Sequence, residues 1–293
     1  MDAQIALPPH FVEQLRGFLD GSSTPAEPRN AASIVLMREG RTQEPGGLEV
    51  YLLRRHLDMA FAGGMAVFPG GGVDPRDFDH AVDWVGPPPE EWAERMGVEV
   101  SLARALVCAA VRETFEESGV LFAGTTEDSI VEDTTGEDWE EDRRRLEARE
   151  LSFTDFLSQR DLKLRSDLLR VWGCWLTPVF EPRRYMTWFF VAELPPGQET
   201  RHVSTEAVDV AWLPVRDAIT AADDQEMLVL PPQYFTFVEL FDLPAPHQVL
   251  EAAGDRDLSV VSPQGVVEGD EAFLRLPDHL VELGGKVAGR LHG

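Results

Sequence analysis

The chain has 293 residues, 43% hydrophobic and 9% aromatic, enough apolar material for one sizeable core or two modest ones. Its 52 Asp and Glu against 26 Lys and Arg give a formal charge of −26, with no long basic cluster. Lys and Arg contacts to phosphate dominate binding to DNA, RNA and anionic membranes, so this balance argues against all three as main partners. If the ligand is nonetheless a phosphate compound, a metal cation is the natural intermediary.

The N-terminus, MDAQIALPPHFVEQL, carries an acid at position 2 and a Pro-Pro pair where a signal peptide needs a basic start and an apolar run. No stretch approaches the roughly eighteen consecutive apolar residues of a membrane span. Cys108 and Cys174 lack a CxxC partner and sit in apolar surroundings, which reads as reduced core residues in a cytoplasmic protein.

Residues 10–20 space Phe11, Leu15 and Phe18 at helical intervals before Gly21 and a Ser-Ser-Thr-Pro stop, so residues 1–29 read as a helical appendage. AASIVLMRE (31–39) and LEVYLLRRH (48–56) are strand-like runs around a turn-rich segment, a hairpin pattern. Residues 59–77, rich in glycine around MAVF, read as an irregular loop that lets backbone approach something closely. A Trp- and Pro-containing stretch follows over 80–98.

The strongest helix is expected over Ser101–Ser118, with Ser101 as N-cap and Gly119 as the left-handed residue that closes it. Residues 125–142 hold nine acids and no Lys or Arg, the pattern of a solvated loop, and the mixed-charge run beyond them reads as helical. Strands are expected over 168–178, 183–194 and 208–215, and helical pieces near 216–224 and 231–243. Residues 246–293 form a weaker C-terminal extension with strand-like 259–267 and 273–276. No internal repeat is present. Interleaved strands and helices over 30–245 make one layered α/β domain.

At about 100° per residue, Glu113, Glu116 and Glu117 occupy one arc of the long helix, roughly 100° wide, opposite Val107, Val111 and Phe115. Three neighbouring carboxylates raise one another's pKa values unless a cation intervenes, and oxygen-only ligands suit Mg²⁺ or Mn²⁺. Arg112 can reach Glu116 four residues on and hold it. By spacing alone, a solvent-facing Glu-rich helix explains the same residues.

The string Arg112-Glu113-Thr114-Phe115-Glu116-Glu117-Ser118-Gly119-Val120 resembles the second half of the Nudix box, REUXEEXGU with U apolar, and Phe68-Pro69-Gly70-Gly71 resembles the FPGG that leads into it. Thr114 departs softly from the pattern. Some forty residues separate Gly71 from Arg112 where the box has about a dozen. The early Glu of the box, eight residues before Arg112, falls on Arg104, and Asp74, Asp77 or Asp79 are candidate substitutes. The order EVYLLRRH, Gly64, Val67, FPGG, Asp74 and Asp77, with Leu230-Pro231-Pro232 near the end, is similar to the Nudix branch that includes the mammalian peroxisomal acyl-CoA diphosphatase.

The resemblance implies a Nudix α/β/α sandwich over 30–245 with a mixed sheet and helical insertions at about 73–100 and 125–168. It implies hydrolysis of a nucleoside-diphosphate-linked substrate with Mg²⁺ or Mn²⁺ on Glu113, Glu116 and Glu117, and a homodimer at the family level. Glu116, Glu117 and Glu206, the last just before the Trp212 strand, are the candidate catalytic groups. Arg54 or Arg55, Gly70 and Gly71 are expected near substrate, and Arg112 and Gly119 support the site. Among substrates, CoA or acyl-CoA leads, with ADP-ribose or NADH as runner-up. A non-catalytic nucleotide-binding regulator is the rival class, although it predicts loss of a box carboxylate and all three remain.

Overall fold

The computed structural model describes residues 4–59 and 61–292. The acid at position 2 and Ala60 of the glycine-rich segment lie outside them. The first half of the chain runs β1 (Gln4–Leu7), α1 (Phe11–Leu19), β2 (Arg29–Arg38), β3 (Glu49–Arg55), β4 (Ala66–Val67), β5 (Gly70–Gly72), β6 (Trp84–Val85), α2 (Pro89–Met96), α3 (Val100–Ser118) and β7 (Ala123–Gly124). It continues through α4 (Glu137–Glu147), α5 (Phe153–Gln159), β8 (Lys163–Arg165), β9 (Leu169–Leu176), β10 (Tyr185–Glu193) and β11 (Ala207–Pro214). The last elements are α6 (Val215–Asp223), α7 (Pro231–Leu240), α8 (Pro246–Ala252), β12 (Gln264–Glu268), β13 (Glu271–Arg275) and α9 (Asp278–His292).

The main sheet has the order β11-β3-β2-β10-β9, with β2 and β10 parallel and the other pairs antiparallel. Its central strands are buried on both faces, so their alternation sorts side chains between two cores rather than between core and water. Ala32, Ile34, Leu36, Tyr51, Leu53, Trp188 and Phe190 join the core that α2 and α3 cover. Val35, Met37, Val50, Leu52, Phe189 and Val191 join the core under α6, α7, α8 and α9. Helices on both faces of a mixed sheet make the α/β/α sandwich expected.

Several local expectations change. The β2–β3 hairpin is joined only at Met37↔Val50 and Arg38↔Glu49, because β4 pairs with β3 and β5 pairs with β2 farther on. The glycine-rich segment is therefore partly strand. The acidic run contains the start of α4, where ion pairs from Arg143, Arg144, Arg145 and Arg160 offset its charge. In the C-terminal segment α8 and α9 were not signalled, yet Val249, Leu280 and Val287 are buried in the second core. The two ends of the described chain meet: β1 pairs with β13, and α1 packs there through Val12 and Leu15 against Phe180 and Leu274. Cys108 and Cys174 are free and buried, as expected. No described helix is long and apolar enough to cross a membrane.

Candidate active site

Helix α3 is the scaffold of the site and is buried along nearly its whole length. Its Ala-rich first turns pack closely on the sheet, and its N-cap is Glu99, without a side-chain cap, rather than Ser101. Gly119 closes it at φ 76°, as expected of a left-handed C-terminal residue, and its N–H donates to the Phe115 carbonyl at 2.9 Å. The carbonyls beyond are also satisfied. Glu116 O accepts from Arg143 Nη1 at 2.7 Å, Ser118 O from the Arg201 N–H at 2.9 Å, and Gly119 O from Thr134 Oγ1 at 2.6 Å. The Arg143 guanidinium at the negative end of the helix suits its dipole.

Those carboxylates do not face open solvent. Glu116 and Glu117 are 8% and 7% exposed, which excludes the reading of a solvated helix face. Arg112 stands among them, donating through Nη1 to Glu113 at 2.8 Å and Glu116 at 3.1 Å, and through Nη2 to the Gly72 carbonyl at 3.2 Å. Its Nε and Nη2 make a two-pronged pair with Asp77, both bonds 2.9 Å. Of the three acids offered as substitutes for the one missing at Arg104, Asp77 is the one that pairs with Arg112. A short 3₁₀ turn over Pro75–Phe78 presents it, and Asp74 caps that turn.

Strand β5 comes in beneath. The Gly70 N–H donates to Glu117 Oε2 at 2.7 Å, and a Cβ on Gly70 would lie 2.5 Å from the Ala32 carbonyl. A Cβ on Gly71 would lie 2.6 Å from the Glu113 carboxyl, so any side chain there must displace that carboxyl. From the end of β3, Arg55 donates to Glu206 at 2.8 Å and its charge acts on Glu117.

Five carboxylates (Asp77, Glu113, Glu116, Glu117 and Glu206) therefore share two guanidiniums, those of Arg112 and Arg55. Burial and then Glu113 push Glu116 up to about 7. Burial raises Glu113 against the pull of Arg112. Burial, with Glu113 next, raises Glu117 well above the carboxylate range. Burial also raises the Tyr51 hydroxyl, aided by Glu117. Burial opposes the charge on Arg112, but Glu113, Asp77 and Glu116 outweigh it and hold Arg112 more firmly protonated.

Among the described residues, no three His, Cys, Asp or Glu side chains converge as they stand on a point that holds a metal ion. Arg112 engages Glu113 and Glu116, and the Gly70 amide engages Glu117. The donor set still fits a hard divalent cation: all oxygen, buried, on one rigid helix, and short of positive charge.

A model of the NUDT19 Nudix domain matches residues 90–240, just over half of the chain. The chain belongs to the Nudix hydrolase family. It is 26% identical to the acyl-coenzyme A diphosphatase NUDT19 of Gallus gallus over 87% of this chain and 82% of that protein. It is also 26% identical to the putative nudix hydrolase 7 of Caenorhabditis elegans, over 72% of this chain and 60% of that one. Among solved structures, a NUDIX hydrolase from Alicyclobacillus acidocaldarius superposes with a TM-score of 0.64 at 27% identity, covering 77% of this chain and 96% of the other.

In this Nudix hydrolase the fold brings together Glu113, Glu116, Glu117, Gly70, Gly71, Arg112, Arg55 and Glu206. Arg54 is exposed and, one residue along β3, lies on the other face of the strand. His202 bonds the Ala207 carbonyl through Nε2 at 3.0 Å. Of the tryptophans, Trp172 and Trp188 are buried in the two cores and Trp175 stacks on Phe235 at 6.3 Å, which is packing. Arg143 and Tyr51 were not foreseen. Nothing local marks Arg143, which reaches the site helix across 27 residues from α4, a segment without a motif.

Proposed function

We propose that this Nudix hydrolase cleaves the diphosphate bond of CoA or an acyl-CoA, with Mg²⁺ or Mn²⁺, to give 3′,5′-ADP and 4′-phosphopantetheine, acylated where the substrate was. The observation that carries this reading is the trio Glu113, Glu116 and Glu117, largely withdrawn from solvent on adjoining turns of one helix with the Gly70 amide against Glu117. The named relative acting on acyl-coenzyme A supports the choice of substrate.

Glu113, Glu116 and Glu117 would hold the cation, which when bound neutralises the diphosphate and polarises the attacking water. Arg112, locked by Asp77, keeps Glu113 and Glu116 in place. Gly70 and Gly71 keep β5 slim, so that its backbone lies against the carboxylates and can pass close to substrate. Arg55 is positioned to meet a phosphate oxygen, at which point its bond to Glu206 is exchanged for one to substrate. Glu206, then freed and half-exposed, accepts the proton of the attacking water.

The test is a substrate panel of CoA, acyl-CoA, ADP-ribose and NADH with Mg²⁺ or Mn²⁺, products identified by mass. Release of 3′,5′-ADP from CoA or acyl-CoA is the expected result. Cleavage of ADP-ribose or NADH with CoA untouched refutes the substrate assignment, and nucleotide binding without turnover of any of them refutes the catalytic one.

A further inference from the structure

The insertion between α3 and β9 does more than enlarge the domain. Its helix α4 carries Arg143, 2% exposed at the side chain, and Glu147 one turn later, 21% exposed. Arg143 Nη1 donates to the Glu116 carbonyl at 2.7 Å and to Glu147 Oε2 at 3.0 Å. The other oxygen of Glu147 accepts two bonds from Thr205, the backbone N–H at 3.0 Å and Oγ1 at 2.6 Å. Thr205 immediately precedes Glu206. From the opposite side, the His56 N–H donates to the Glu206 carbonyl at 3.1 Å.

We infer that Glu147 is a positioning residue: bridged by Arg143 to the backbone of the carboxylate helix, it fixes the Thr205–Glu206 turn so that Glu206 stays in register with Glu113 and Glu117. The inference rests on the role proposed above for Glu206. Without the Glu147 bonds the turn before Glu206 keeps the Ser204 hydroxyl on the Glu206 N–H and the His56 bond, but loses its tie to α3 through the insertion. Charge-assisted bonds of this kind are among the stronger ones, and misplacing a reacting group by about 1 Å can cost on the order of a hundredfold in rate. The Glu147 side chain does not touch the reacting atoms, so its effect falls on turnover and not on substrate capture.

The experiment is steady-state kinetics of the full chain with CoA, or with ADP-ribose if that is what the wild type hydrolyses, in Glu147→Ala, Thr205→Val, Thr205→Ser, Glu206→Gln and the double variant Glu147→Ala/Glu206→Gln. Melting temperatures accompany each. Glu147→Ala is expected to lower kcat about tenfold with KM within about twofold, Thr205→Val to follow it in direction, and Thr205→Ser to restore turnover. In the Glu206→Gln background, Glu147→Ala is expected to cost less than about twofold more, because its effect passes through Glu206. An equal loss in both backgrounds, a change confined to KM, or unaltered kcat overturns the inference. If Glu147→Ala does not fold, Thr205→Val and its double variant with Glu206→Gln carry the same comparison. Glu117→Gln, measured in parallel, separates the two failures. Full activity there defeats the assignment of the reaction to the α3 carboxylates on which the role of Glu206 depends, whereas an inactive Glu117→Gln beside an additive Glu147→Ala defeats only the positioning role.

Discussion

Removing Asp77 tests whether an acid 35 residues from Arg112 has taken over the anchoring task of the missing box carboxylate. Asp77→Ala deletes two charge-assisted bonds of 2.9 Å and the acceptor of the Asp74 N–H at 2.8 Å, where the Asp77 side chain is 1% exposed and that of Arg112 is 10% exposed. Breaking a buried pair on one side costs about 3–5 kcal/mol in general. Arg112 keeps Glu113, Glu116 and the Gly72 carbonyl, so its charge is not stranded, and the low end, about 3 kcal/mol, is the expected loss. Urea unfolding followed by tryptophan fluorescence reads this as a lower midpoint at unchanged slope. The released guanidinium is also expected to bind Glu113 and Glu116 more closely, raising the Mg²⁺ concentration needed for half-maximal activity. Arg104→Ala, at the position where the box places its acid, is the control and should leave the metal dependence unchanged. A loss below about 1 kcal/mol with unaltered metal dependence would show that Asp77 is not the anchor.

Four further outcomes follow from the same geometry. Glu117→Gln should lower kcat by at least two orders of magnitude while circular dichroism and melting stay close to wild type, and near-normal turnover refutes the role of the carboxylate face. Gly71→Ala puts a methyl 2.6 Å from the Glu113 carboxyl, so activity should fall more than stability, and equal activity in the alanine variant shows that the close approach is unimportant. Burial pushes both Cys108 and Cys174 up to about 12, so neither should react with a thiol reagent at pH 8 until denaturant is added, when two thiols appear; rapid labelling of the native protein contradicts their burial. The hydrogen bond from Arg76 lowers Asp74 from 3.8 to about 2. A depressed carboxylate stabilises the fold fully above its unfolded value and loses that contribution as pH falls through its folded one, so wild type and Asp74→Asn should differ most above pH 4 and converge towards pH 2. A difference that grows on acidification contradicts that sign.

What the sequence revealed and what it concealed divide along the range of the interactions. Helical periodicity places Glu113, Glu116 and Glu117 on one face and Gly119 at its end, because these are relations within a few residues of one chain segment. The same periodicity does not say whether that face meets water, since burial depends on β5 and on elements across the sheet. Identical reasoning separates Arg55 from Arg54: alternation makes one of them face the site, but which one is decided by the pairing of β3 with β11. The cap at Ser101 failed because Glu99 adopts the extended conformation one residue before the helix begins, so the serine falls inside its first turn.

The acidic run over 125–142 gives the sharpest case. Residues 125–136 form the loop that its charge predicts, but 137–142 open α4, because their counter-charges arrive from Arg143 and Arg145 within the helix and from Arg160 18 to 22 residues away. Once paired, the helical part packs Trp139 edge-on against Phe115 and Phe156 and brings Arg143 onto the end of α3. The C-terminal segment follows the same logic in apolar form. Burying Val249, Ala253, Leu276, Leu280 and Val287 in the second core contributes at most about 1.5–3 kcal/mol for each of the larger side chains, together comparable with the roughly 5–15 kcal/mol that stabilises a whole domain. A chain ending at residue 245 is therefore expected to be insoluble or to lack a cooperative melting transition. A truncated protein that melts within a few degrees of the full chain would instead show that residues 246–293 are an appendage.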